Sequence, residues 1–221
     1  MEAYLGISTD KLLTAGAETI YMVCISLFIG ALIAFPLAIL LYLTRKNGMY
    51  QNRFVNGILN IIINVIRSTP FIIMLVCVMP LTKVLVGTRI GTKAALVPLT
   101  IYIAPYLARL MEGALLETKS GIIEAAEAMG ATPVQIVWHF ILPESLGSLI
   151  LTITTGTIGL IGATAMAGYI GGGGIGNIAL TYGYQQFNNR LMFFTVLILI
   201  IVVQLIQNLG TWASAKIKRA R

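Results

Sequence analysis

Apolar runs close to the thickness of a bilayer govern what this chain can fold into. Crossing a hydrocarbon layer of roughly 30 Å takes about 20 mostly apolar residues in a helix. Runs of this kind cover residues 20–43, 71–86, 94–116, 145–168 and 191–212. In hydrocarbon every backbone N–H and C=O must find its partner within the protein, and a helix does so inside one segment. The expected fold is therefore all-α and polytopic. It is a single membrane domain over residues 1–221 with five transmembrane helices, and a helical loop at 119–143 separates the third from the fourth.

Charge supports this reading. Only 10% of the 221 residues are charged, against about 25% in a soluble domain, so no water-soluble core is expected. The net charge of +7 would suggest nucleic acid in a soluble chain. Here Lys and Arg gather at the ends of the runs, as membrane orientation requires, and no nucleic-acid partner is expected. Glu2, Asp10, Lys11 and Glu18 replace the basic stretch of a cleavable signal, so the first run reads as a retained span. Cys24 and Cys77 sit inside apolar runs as small hydrophobes, without disulfide or metal-ligand spacing.

Orientation follows from the basic residues. With the C-terminus inside, Arg45, Lys46, Arg53, Arg109, Lys119, Lys216, Lys218, Arg219 and Arg221 are cytoplasmic; Lys11, Lys83, Arg89, Lys93 and Arg190 are external. That excess predicts an external N-terminus, a cytoplasmic C-terminus and a cytoplasmic 119–143 loop.

Several interruptions carry meaning. Pro36 is expected to kink the first span, and Asn47-Gly48 marks a turn after Arg45-Lys46. Asn52, Asn56, Asn60 and Asn64 recur every four residues, with Arg67 three further on. The spacing predicts an amphipathic helix over 52–68, lying at the interface or facing protein. Arg67 reads as an interface anchor, and Thr69-Pro70 starts the second span. Arg109 and Glu112, one turn apart, can pair at the inner end of the third.

The loop has its own punctuation. Ser120 is expected to cap a helix running to Met129, and Gly130 suits the left-handed position after it. Thr132-Pro133-Val134-Gln135 reads as a capping box that opens a second helix reaching Leu142, where Pro143 ends it or opens the fourth span. Ile122, Ile123, Ala126 and Met129 fall on one face, Glu124 and Glu127 on another. Ala125, Ala126 and Ala128 leave a slim surface that fits a groove on a partner. A loop packed on its own bundle is the plainer alternative.

Glu124-Ala125-Ala126, then Gly130-Ala131 and Leu142-Pro143, resembles the EAA loop of ABC-importer permeases. The family's Ile two residues before Leu-Pro is Phe140 here, an apolar exchange. The resemblance covers nearly the whole chain. Arg67-Ser68-Thr69-Pro70-Phe71-Ile72-Ile73, Val97-Pro98-Leu99, Ala104-Pro105-Tyr106 and Gly171-Gly172-Gly173-Gly174-Ile175-Gly176 look like the methionine-importer permeases in particular. The resemblance implies a multi-pass protein of the bacterial inner membrane. It further implies a second copy forming a homodimer, two cytoplasmic ATPase subunits and an external substrate-binding protein. The cargo would be methionine or a similar amino acid. Glu124, Ala125, Ala126, Met129, Gly130, Ala131, Leu142 and Pro143 would form the ATPase-coupling site. ATP and Mg would be used by the partner ATPase, with no cofactor in this chain.

Thr152, Thr155, Gly159, Gly162 and Met166 alternate at three- and four-residue spacing, so they share one stripe of the fourth span. Two readings stand for it: a close-packing seam, or the lining of a passage between two copies, with Met166 as a gate side chain. Gly171, Gly173 and Gly176 satisfy G-x-G-x-x-G formally, but no strand precedes them, and a glycine turn facing an external partner is the better account.

The remaining chemistry excludes more than it offers. His139 stands alone, no catalytic or metal set is present, and the absence of any Gly-Lys dipeptide removes a Walker A loop. The chain is expected to be non-catalytic. A membrane-embedded enzyme lacks a nucleophile or acid-base pair. An ion-coupled secondary carrier would need mid-membrane ionisable groups that the first, fourth and fifth runs lack. A permease for another small amino acid is the nearer alternative.

Overall fold

The computed structural model describes residues 6–219; Glu2 and Arg221 of the sequence argument lie outside the described residues. All regular structure among them is helical. Helix α1 (Thr9–Thr44) has 36 residues, about 54 Å at 1.5 Å per residue. It begins well before the apolar run at residue 20. Ser8 caps it by accepting from the Lys11 N–H at 3.3 Å. Hydropathy reports where a helix meets water, not where it starts, so Asp10, Lys11 and Glu18 concealed this extension.

After the turn at Asn47, which takes a left-handed φ of 63°, helix α2 (Arg53–Ser68) opens with the Asn52 side chain accepting from the N–H groups of Phe54 and Val55. It bends by 110° into α3 (Phe71–Val86). The break falls where Pro70 disfavours a helical conformation at Thr69, whose ψ is 122°. Helix α3 has 16 residues, about 24 Å, too short to cross the hydrocarbon alone. Four helices among the described residues are long and apolar enough by themselves, and α2 with α3 makes a fifth only as a bent pair.

The asparagine stripe decides how α2 sits. Asn56 donates to the Leu41 carbonyl and to Thr44 Oγ1, both at 3.2 Å. Asn60 donates to Asn56 Oδ1 at 2.9 Å and accepts from Arg109 at 3.1 Å. Asn56 and Asn60 thus turn into the protein beside the buried Ile63, Asn64 and Arg67 are exposed, and Phe54, Ile61 and Val65 point outward. This inverted amphipathicity suits a hydrocarbon surround, where polar groups need protein partners.

Helix α4 (Thr92–Leu116) is the central element. It packs most extensively on α1, and its Leu99, Ile103 and Leu107 are fully buried. Next come α5 (Ser120–Ala128), α6 (Pro133–Ile136), a π-helical turn (Val137–Ile141) and α7 (Leu142–Ala167). Pro143 stands in the first turn of α7 and so opens the fourth span, but without a break, because Pro133–Ile170 runs on as one helix. Proline lacks an N–H and its ring crowds the carbonyl four residues back. The π turn widens the helix at that point, with the Leu142 N–H reaching the Val137 carbonyl instead.

A short 3-10 turn (Gly168–Ile170) and a glycine reversal lead to α8 (Gly174–Asn177), which widens into a π-helical segment (Ile178–Gln185) before α9 (Asn189–Arg219). The sequence reading placed no helix between the fourth and fifth runs. The glycines there make close contacts within the bundle. The Gly174 N–H donates to Glu18 Oε2 at 2.8 Å, and the Ile175 N–H to Thr19 Oγ1 at 2.9 Å. A Cβ at Gly176 would lie 2.3 Å from the Ala165 Cβ and 2.4 Å from its Cα. Around this core the flanks of α1 and α9 expose Phe28, Leu32, Phe193, Ile200 and Leu205, an apolar surface suited to lipid.

Because the Ala165 backbone cannot yield, Gly176→Ala is expected to destabilise the bundle by about 1–3 kcal/mol. Thermal unfolding in detergent should show it as a lower midpoint. Gly162→Ala, where a Cβ meets nothing within 4 Å, should leave the midpoint in place. Equal midpoints for the two variants would contradict the α7–α8 contact.

Candidate functional site: a helical corner and an open small-residue face

The corner is built by local chemistry. Helix α5 starts at Ser120 with Lys119 in the capping position and no side-chain cap, so Ser120 does not serve as expected. At the other end Gly130 takes φ 78°. The Gly130 N–H bonds the Glu127 carbonyl at 2.9 Å, and the Ala131 N–H bonds the Ala126 carbonyl at 3.1 Å. This reciprocal pair is a Schellman motif, which closes a helix only where a left-handed residue is available. Two residues on, Thr132 and Gln135 form a reciprocal capping box with Pro133 at the first helical position. The chain therefore reverses through Gly130-Ala131 with its backbone groups satisfied.

Burial separates the residues of the loop into two roles. Ala126 is 0% exposed and belongs to the same buried core as Ile136 and Val137, so it anchors the corner instead of presenting a surface. Glu124, Ala125 and Ala128 face outward. Met129, which periodicity places on one face with Ile122, Ile123 and Ala126, caps α5 just past its last turn and is 70% exposed. Val134 is also exposed. Leu142 is buried and Pro143 half-buried beyond the π turn, so these two support the root of the corner, while Glu124, Ala125, Met129 and Gly130 occupy its exposed side. The corner is thus both packed on its own bundle and open toward a partner.

One neighbour was not legible in sequence. Arg45, read there as an orienting charge, lines a cleft of about 300 Å³ together with Tyr42, Ser120, Glu124 and Glu127. Its guanidinium lies 4.4 Å from the centre of the Tyr42 ring. The end of α1 therefore presents a cation to the acidic side of α5. The adjoining Asn47-Gly48 turn was the only sequence signal for a chain reversal here.

The stripe on α7 resolves into packed and open sides. A Cβ on Gly156 would stand 2.4 Å from a Leu107 methyl, and one on Gly210 of α9 would stand 2.0 Å from Thr154 Oγ1. Gly156 and Gly210 therefore make the close-packing seams, and neither belongs to the predicted stripe. Within the stripe, Thr152 lies at the buried edge, Thr155 and Gly162 are exposed, and Gly159 is half-buried, touching only the Tyr102 hydroxyl at 4.0 Å. Met166 is 45% exposed at its far end. Thr152 donates to the Leu110 carbonyl of α4 at 3.5 Å, whereas the face from Thr155 to Met166 is largely open up to the glycine reversal.

Comparison with known proteins agrees with this architecture. Residues 26–219 match the family described as binding-protein-dependent transport system inner membrane component. The chain is 44% identical over 207 residues to a probable D-methionine transport system permease protein of Vibrio cholerae, covering 94% of this chain and 92% of that one. It is 43% identical over 204 residues to the methionine import system permease protein of Bacillus subtilis, covering 92% of each. The fold superposes with a TM-score of 0.91 and 42% identity on a chain of the MetNI methionine ABC transporter solved in inward-facing conformations, covering 96% of this chain and 99% of that one.

Gly130→Val forces a β-branched residue into the left-handed region, at a cost of roughly 1–2 kcal/mol, and should open the Schellman bonds. Hydrogen exchange is expected to accelerate at the amides of Gly130 and Ala131, with Gly130→Asn affected much less. Unchanged protection in the valine variant would show that the corner does not depend on this residue.

Proposed function

The chain belongs to the family of binding-protein-dependent transport system inner membrane components, and from that premise we propose that it is the permease subunit of an ATP-driven importer of methionine. The observation that carries the proposal is identity above 40% over nearly the full length to methionine permeases of two organisms, joined to the corner at Glu124–Gly130. Two copies face each other across the open stripe of α7, and this stripe borders the passage. Two cytoplasmic ATPase subunits grip the exposed Glu124, Ala125, Met129 and Gly130, and an external binding protein delivers the amino acid. ATP and Mg act in the partner; this chain contributes no catalytic group. The N-terminus is external and the C-terminus cytoplasmic.

The mechanism needs two packings of similar stability, with ATP binding favouring one and the loaded binding protein biasing the equilibrium from outside. Met166 stands at the outer end of the stripe, just before the glycine reversal, and acts as a gate. An ion-coupled carrier is disfavoured by where the charges fall. Helix α7 carries Glu144 in its first turn only, and the charges of α9 are Arg190 at its start and Lys216, Lys218 and Arg219 in its last turns. A permease for another small amino acid remains the nearest alternative, and competition against labelled methionine uptake separates the two.

In proteoliposomes, methionine uptake is expected only with both ATP and the binding protein. Gly130→Asp, or deletion of residues 124–130, should abolish co-purification of the ATPase; retention of the ATPase would remove the coupling role. Met166→Ala in an assembled complex should raise ATP-independent leak several-fold, and an unchanged leak would remove the gate.

A further inference from the structure

At the inner end of the open stripe, α4, α7 and α9 surround a cavity of about 400 Å³ lined by Arg109, Glu117, Ser148, Thr152, Thr155 and Lys218. That size falls in the roughly 300–1,000 Å³ range of small-molecule sites. Its charges are not equivalent. Arg109 is already engaged, 2.6 Å from Glu112 Oε2 and 3.1 Å from Asn60 Oδ1. Glu117 accepts a hydrogen bond from the Ser148 hydroxyl, which fixes its carboxylate on the α4 side. Lys218 comes from the last turn of α9. Among the described residues no ion pair joins Glu117 to Lys218. The cavity therefore holds one anion and one cation that do not pair, and Leu110, Gly113, Ala114 and Leu151 complete its lining.

The placement of Lys218 is built in. A Cβ on Gly147 would lie 2.7 Å from Lys218 Cγ and 2.8 Å from its Cε. The lysine stem thus rests on a buried glycine of α7, and any larger residue there would displace it. We propose that this cavity is an exit site for a zwitterionic α-amino acid. The substrate carboxylate meets the Lys218 ammonium, the substrate ammonium meets the Glu117 carboxylate, and the side chain lies along Leu110 and Leu151. The proposal rests on the transport reading above and adds a binding site within the permease itself. Both charged groups are exposed to water, so each contact is weak. Binding is therefore weak, and cargo leaves rather than lodges.

The test uses the purified permease–ATPase complex in nanodiscs, without binding protein. Saturation-transfer NMR is read on the methionine methyl. Wild type should give a signal that falls at least several-fold in Glu117→Gln, in Lys218→Met and in Gly147→Leu. The exchanged pair Glu117→Lys with Lys218→Glu should recover it, because a zwitterion can turn around. N-acetylmethionine, which lacks the ammonium, should give no permease-dependent signal. Equal signals from wild type and the variants, or no recovery in the exchanged pair when that complex assembles normally, overturn the site. Uptake with binding protein, measured on the same preparations, separates the two readings. Normal wild-type uptake alongside such a result removes only the exit site, whereas absent uptake removes the transport reading itself.

Discussion

A helix inside hydrocarbon can be interrupted only where some other group takes up the freed hydrogen bonds, and this requirement shapes each irregular point of the chain. At the α2–α3 bend the Thr69 N–H returns to the Ile66 carbonyl and its hydroxyl to Val65. At Pro143 the helix widens, and the Leu142 N–H finds the Val137 carbonyl. At the glycine reversal the first amides of α8 are received by Glu18 and Thr19, 156 residues earlier in the chain. Each irregularity is therefore a fixed joint with named partners, and together these joints set where α2, α5 and α8 lie against the bundle.

How much of this could be seen beforehand depended on the range of the interaction. The Thr132–Gln135 box and the left-handed Gly130 are settled within four residues, and they were legible. So was the Arg109–Glu112 pair, one helical turn apart. The apolar runs exposed the long helices but not their ends, since α1 extends through Asp10, Lys11 and Glu18 with its cap at Ser8. What remained hidden depends on contacts across the fold: α8 held by Glu18, Arg45 beside Glu124, and Lys218 resting on Gly147. Periodicity likewise put Gly159 and Gly162 on one face of α7 without saying that Gly156, one face over, makes the close contact with α4.

The division of α7 into two sides gives the bundle its logic. Its packed side meets α4 through Gly156 and Leu107 and meets α9 through Thr154 and Gly210, where small residues permit close approach and dispersion contacts replace the missing hydrophobic drive. The other side keeps hydroxyls, glycines and one flexible thioether clear of the chain's own core. Helix α2 is arranged on a related principle, turning Asn56 and Asn60 inward and Phe54, Ile61 and Val65 outward.

The continuous helix from Pro133 to Ile170, widened at its π turn, places the root of the corner and Met166 on a single rod. Between Pro133 and Met166 that rod is roughly 50 Å long at 1.5 Å per residue. A tilt of about 5° pivoting at Pro133 would swing Met166 through roughly 4 Å, a distance comparable to the width of its own side chain. Small angular travel at one end thus becomes full-scale travel at the other, as in a long-armed balance.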